Sequence, residues 1–119
     1  MTEPPTEFEV TTEQRNGARV VRVSGEVDIS THERLSEHLV SEADAGDFVV
    51  VDLSSCSFID SSGIRALLLG HKAAKTAGPG RFAIVATSPQ VARVLELTGV
   101  DDAISLYDSV EDALANQKG

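Results

Sequence analysis

Valine-rich runs alternate along this chain with stretches of helical periodicity, and that alternation predicts its elements in order. Phe8 to Gln14 alternates weakly, Asn16-Gly17 carries the signal of a type I′ turn, and Ala18 to Ser24 (ARVVRVS) is rich in valine. Together they predict an amino-terminal hairpin. Ser30 with Glu33 three residues on forms a capping box, after which Leu35, Leu39 and Ala43 recur at helical spacing up to Gly46. Phe48 to Leu53 (FVVVDL) is a nearly continuous apolar run, as expected of a parallel strand covered by other elements. Ile64, Leu67, Leu68 and His71 share one face of a helix that starts at the Asp60-Ser61-Ser62-Gly63 turn and stops before Gly78-Pro79-Gly80. Arg81 to Ala86 predicts another buried strand. Ser88-Pro89 supplies an N-cap and first turn for a helix with Val91, Val94 and Leu95 facing inward and Gly99 ending it. Ala103 to Tyr107 predicts a last short strand, and Ser109 with Asp112 caps a final helix carrying Ala113 and Leu114.

The order β-β-α-β-α-β-α-β-α predicts an α/β fold: a mostly parallel sheet with one antiparallel edge strand, its right-handed crossovers packing the helices on a face. Residues 1–7 read as a disordered leader, 8–115 as one domain and 116–119 as a disordered tail. At 119 residues and 41% hydrophobic, the chain buries enough surface to fold without disulfides or metal.

Composition narrows the function. The formal charge is −9, and residues 1–60 account for all of it, with 13 of the 19 acids and only 4 of the 10 bases. Such a chain lacks the cationic surface that nucleic acids and anionic membranes require. The single cysteine, Cys56, excludes an internal disulfide and a multi-thiolate metal site, which favours a reducing, cytoplasmic compartment and casts Cys56 as a small buried hydrophobe. Met1 to Pro5 has no basic or apolar region of a signal peptide, and no apolar run approaches the roughly 20 residues of a membrane span.

Catalytic equipment is sparse. There is no phosphate-binding G-x-x-x-x-G-K-[ST] loop, and Gly78-Pro79-Gly80 lacks dinucleotide-fingerprint spacing. His32 and His38 lie six apart, about 240° around a helix, so they read as solvated or interfacial rather than as a metal pair. A receiver-type phosphoaspartate at Asp52 fails because the acids of Gly25-Glu26-Val27-Asp28 are two apart and no lysine ends the last strand. No cofactor is expected. What remains is the Asp60-Ser61-Ser62-Gly63 turn, which delivers hydroxyls to a helix amino terminus. It serves either as ordinary capping or as a seat for a phosphate on Ser61.

Val50 to Leu68 (VVDLSSCSFIDSSGIRALL), preceded by Gly25-Glu26-Val27-Asp28, resembles the STAS domain of bacterial anti-sigma factor antagonists, over roughly Phe8 to Asn116. The resemblance implies a single STAS-like domain whose phosphoacceptor, the first hydroxyl after the aspartate, is Ser61, with Asp28 as its neighbouring acid. Glu26, Asp60, Ser62, Gly63, Arg65 and Leu69 are expected to contribute to partner binding. Arg65 departs from the glycine of many members. In that family the unphosphorylated antagonist binds an anti-sigma factor and frees a sigma factor. The anti-sigma factor, a serine kinase using ATP and Mg²⁺, phosphorylates and releases it, and a metal-dependent serine phosphatase resets it. The chain would be a substrate rather than an enzyme, working as a monomer or weak dimer. The alternatives are a STAS scaffold or accessory subunit, in a stress-sensing assembly or lipid transport, without a phosphorylation switch, and a small α/β enzyme. Ala66, Leu69 and Ala73 form a second apolar row on the central helix, either buried or docking a partner.

Overall fold

The turn at Asn16-Gly17 starts the fold: in a computed structural model, which describes residues 8–45, 47–78 and 81–116, both residues adopt left-handed φ, +53° and +80°. That geometry matches the twist of the strands it joins. Glu9–Arg15 (β1) therefore runs back antiparallel on Ala18–Val27 (β2). Phe48–Ile59 (β3), Phe82–Val85 (β4) and Ser105–Tyr107 (β5) add in parallel, giving a sheet of order β1-β2-β3-β4-β5. The expected leader, residues 117–119 of the tail, the Gly46 helix stop and Pro79-Gly80 lie outside the described residues.

Alternation along the central strands divides the core. Val21, Val23, Val27, Val49, Val51 and Leu53 meet His32–Asp44 (α1), Ser61–Ala77 (α2) and Pro89–Leu97 (α3) on one face. Ala18, Val20, Val50 and Val85 meet Val110–Ala115 (α5) on the other. The last helix thus leaves the face its fellows share, because the even-numbered valines of β2 and β3 need a cover too.

Four local expectations are corrected. α1 begins at His32 behind Thr31, and no side chain caps it, so Ser30 and Glu33 form no capping box. The Ser30 hydroxyl donates instead to Asp28. Ser88 precedes α3 in extended conformation without a side-chain cap bond. Beyond Gly99, whose φ of +80° breaks α3, Val100–Ala103 forms a short further helix (α4) where the last strand was expected to start. Finally, β2 and β3 run past Ser24 and Leu53 to Val27 and Ile59, held in pair through register shifts at Arg22/Ser24 and Gly25/Glu26. Gly25 takes φ +91° at the second shift, a conformation that an L side chain rarely adopts. The Asn16-Gly17 turn, the strand at 48–53 and the Ser109 cap are as expected, with Ser109 Oγ accepting from the Asp112 amide at 3.0 Å.

Candidate functional site

The strand extension brings two turns together. Glu26 pairs with Phe58 and Val27 with Ile59, so both strands end side by side, and the Asp60 amide donates to the Val27 carbonyl at 3.2 Å. The acidic turn after β2 and the hydroxyl turn after β3 therefore form one surface at the carboxyl end of the sheet, the usual ligand end of a parallel sheet.

In the second turn Asp60 does the capping. Its Oδ1 accepts from the amides of Ser62 (3.0 Å) and Gly63 (3.2 Å) and from the Ser62 hydroxyl (2.6 Å). The Ser62 hydroxyl, foremost, and these amides hold the Asp60 carboxyl below its ordinary pKa, while burial and the negative charge of Asp28 push the other way. The two carboxylates therefore lie within electrostatic reach. Ser61, the first residue of α2, is exposed, and its hydroxyl joins none of these bonds.

The first turn is built on Asp28. Its Oδ1 accepts from the Ser30 hydroxyl (2.8 Å), the Ser30 amide (3.0 Å) and the Thr31 hydroxyl (3.3 Å), and its amide donates to Thr31 Oγ1 at 2.9 Å. Chiefly the Ser30 hydroxyl lowers the pKa of Asp28, so the carboxylate stays charged at neutral pH. Thr31 also donates to the Glu26 carbonyl at 2.9 Å. Sequence reasoning had passed over Thr31, although an Asp-x-x-Thr run is itself a turn signal.

Gly63 is where α2 presses on the strand ends: a Cβ there would sit 2.5 Å from Ile59 Cγ1 and 2.7 Å from Val27 Cγ1. From Ser61 the exposed face of α2 continues through Arg65, Leu68, Leu69 and Lys72. Leu68, expected inside, is 40% exposed and Leu69 42%, whereas Ala66 of the supposed second row is fully buried. The apolar rows are therefore rotated: the inward stripe is Gly63, Ile64, Ala66, Leu67, Gly70 and Ala74. Ile29, at 77% exposure in the acidic turn, and Phe58, at 47% two residues before Asp60, join Leu68 and Leu69 of α2 as exposed large apolar side chains. Neither was singled out from sequence, yet an isoleucine between Asp28 and Ser30 in a turn has no core to enter.

Elsewhere, Cys56 is buried and burial raises its thiol pKa, so it packs as a hydrophobe. His38 lies 2.6 Å from Thr12 Oγ1, joining α1 to β1 as an interfacial histidine. Among the described residues no cluster of three or more His, Cys, Asp or Glu is arranged to hold a metal, and no helix is long and apolar enough to cross a membrane.

The sequence pattern of the STAS domain matches residues 9–113. The chain is a member of the STAS domain family. The anti-sigma-F factor antagonist RsfB of Mycobacterium tuberculosis is 30% identical over 116 residues, covering 97% of this chain and 93% of that protein. The anti-sigma F factor antagonist of Paenibacillus polymyxa is 29% identical over 109 residues, covering 90% and 92%. A crystal structure of an anti-sigma factor antagonist from Mycobacterium paratuberculosis, 29% identical, superimposes with a TM-score of 0.86 over 99% of this chain and 100% of that one. The STAS assignment and the mixed sheet with its single antiparallel pair agree with the reading of the motifs.

Proposed function

We propose that this STAS protein is an anti-sigma factor antagonist that binds an anti-sigma factor serine kinase, frees the sigma factor, and is released when Ser61 is phosphorylated. A metal-dependent serine phosphatase would reset it. The observation that carries the reading is the division of labour in the α2 turn. Asp60 satisfies the helix amides, which leaves the neighbouring Ser61 hydroxyl exposed and outside those bonds, next to a carboxylate that feels the charge of Asp28. Near-full-length likeness to proteins named as anti-sigma factor antagonists supports the partner class.

In this reading Ile29, Phe58, Leu68 and Leu69 supply the apolar contact area, and Glu26, Asp28, Ser62 and Arg65 the polar surround. A phosphoserine adds about −1.5 to −2 charges on the residue after Asp60, where the Asp60 carboxylate, within electrostatic reach of Asp28, is already held ionised. Desolvating that charge against a partner at a cost of about 3 to 4 kcal/mol weakens binding several hundredfold.

The test incubates wild type, Ser61→Ala and Ser62→Ala with the cognate anti-sigma factor kinase, ATP and Mg²⁺, and follows phosphate on the peptide containing Ser61. Labelling of wild type and Ser62→Ala but not Ser61→Ala, with loss of kinase binding on labelling, is expected. Labelling of Ser61→Ala at the wild-type rate moves the acceptor elsewhere. Absence of kinase binding by wild type returns the protein to a scaffold or accessory role.

A further inference from the structure

At the opposite end of β3 from Ser61, a pocket of about 240 Å³ opens beside the first residues of β3 and β4. Phe48, His71, Arg81, Phe82, Tyr107 and Asn116 are among its lining residues. Three features set it apart. Among the described residues no acidic one lines it, in a chain with 19 acids against 10 bases. The Arg81 side chain forms no ion pair or hydrogen bond among the described residues, its guanidinium carbon lying 5.3 Å from the centre of the Phe48 ring. And two polar atoms of the lining, Arg81 Nη2 and His71 Nδ1, are buried without a hydrogen-bond partner.

Buried donors are normally satisfied, and a buried cation normally has a counter-charge. Ion pairs elsewhere on this acidic protein are plentiful: Arg19 alone reaches both Glu42 and Asp47. Arg34, Arg65 and Arg93 also stand outside the ion pairs, but they are exposed, whereas Arg81 keeps a buried nitrogen without a partner. Three of the chain's five phenylalanine and tyrosine rings also line the pocket, Phe48 and Tyr107 from the α5 face of the sheet and Phe82 from the other, beside the polar side chains of Ser105 and Asn116. His71 stands against Phe82 with ring centroids 5.8 Å apart.

We propose that this pocket binds a small aromatic carboxylate, whose carboxylate pairs with Arg81 and His71 at the end of the sheet and whose ring lies against Phe48 and Tyr107 on the α5 face. A guanidinium fork matches the two oxygens of a carboxylate, and a neutral imidazole in its Nδ1–H tautomer donates a further bond. The size fits a single-ring compound, being below the roughly 300 Å³ at which pockets for larger ligands begin. The site lies about 35 Å of strand from the Ser61 turn, given the twelve residues of β3, so it is separate from the proposed partner surface. α2 links the two, running from Ser61 past His71.

The test titrates the full chain with benzoate, with its neutral isostere benzamide and with inorganic phosphate, following backbone amide shifts and melting temperature. Saturable benzoate binding with a Kd of about 1 mM or tighter is expected, with shifts centred on Phe48, His71, Arg81 and Phe82. Benzamide and phosphate should each bind at least tenfold more weakly, and Arg81→Gln should weaken benzoate at least tenfold while keeping its amide spectrum. No saturable response, equal binding of benzamide, or unchanged benzoate affinity in Arg81→Gln overturns the proposal. Phosphate binding as tight as benzoate overturns its aromatic half, and the benzamide comparison needs no variant to fold.

Discussion

Replacing Gly63 by alanine tests how tightly α2 is set against the strand ends. The added Cβ would lie 2.5 Å from Ile59 Cγ1, 2.7 Å from Val27 Cγ1 and 3.0 Å from Ile59 Cδ1. All belong to β-branched side chains with few alternative rotamers, and both residues are buried, Val27 at 0% and Ile59 at 3% exposure. Relief therefore requires the helix start or the strand ends to move. Alanine gains at most about 1 kcal/mol of helix propensity over glycine, whereas overpacking of this kind costs about 1 to 3 kcal/mol. With two contacts under 3.0 Å the upper part of that range applies, leaving a net loss of about 1 to 2 kcal/mol. In a chain this size the melting temperature should fall by about 4 to 10 °C, read by calorimetry or circular dichroism. Gly78→Ala is the control, since a Cβ there meets nothing within 4 Å and its φ of 168° is ordinary extended backbone. That variant should melt at or slightly above the wild-type temperature. A Gly63→Ala protein as stable as wild type, or a Gly78→Ala protein equally damaged, would refute the close-packing argument.

The α2 cap yields two further expectations. Asp60→Ala should cost about 1 to 2 kcal/mol in chemical denaturation, because two helix amides and the Ser62 hydroxyl lose their acceptor. The Asp60 pKa is lowered on folding, so its stabilisation is full above the unfolded value of about 3.9 and is lost as pH falls through the lower folded value. Melting temperatures of wild type and Asp60→Asn should thus converge on acidification below about pH 4, and a gap that widens there would contradict the sign. Ser61→Ala should leave stability within about 0.5 kcal/mol of wild type because its hydroxyl makes no hydrogen bond among the described residues. Ser62→Ala should lose about 1 kcal/mol with its 2.6 Å bond to Asp60, and the reverse order in urea denaturation would exchange the roles of the two serines.

The sequence was legible where one local rule acted alone. Valine runs gave the buried strands and Asn16-Gly17 gave the hairpin, because burial on both faces and a left-handed pair leave few alternatives. It was opaque where tertiary pairing overrode local preference. Ser54 to Ser57 reads as a loop by composition, yet it is strand because β2 continues beside it past the bulge at Gly25, with Cys56 turned in and the serines out. Ser30 reads as a cap, yet its hydroxyl is taken by Asp28 two residues earlier. The inward row of α2 was misread at Leu68 because the helix crowds the sheet through glycine and alanine at 63, 66, 70 and 74, which carry no hydrophobic signal of their own. The site motif itself was legible, but the apolar side chains around it were not. Exposure of Ile29 and Phe58 depends on where two strands end together, and no window of sequence contains both.

On the proposed function, the placement of charge would let the α2 turn carry a switch without remodelling the fold. A helix start tolerates an anion through its dipole, and Arg65, one turn after Ser61 on the exposed face, is at i+4 spacing from a phosphate there. In the free protein these favourable terms, each about 0.3 to 1 kcal/mol, offset repulsion from Asp60 and Asp28 through water-screened space. Against a partner the balance reverses. The apolar side chains of Ile29, Phe58, Leu68 and Leu69 are useful only once water leaves their surroundings, and the same loss of water removes the screening that made the added charge tolerable. On the proposed function, the contact area that would give the neutral form its affinity would thus also make the charged form intolerant of binding. The free energy of the switch would accordingly be found in the complex, not in the stability of the isolated domain.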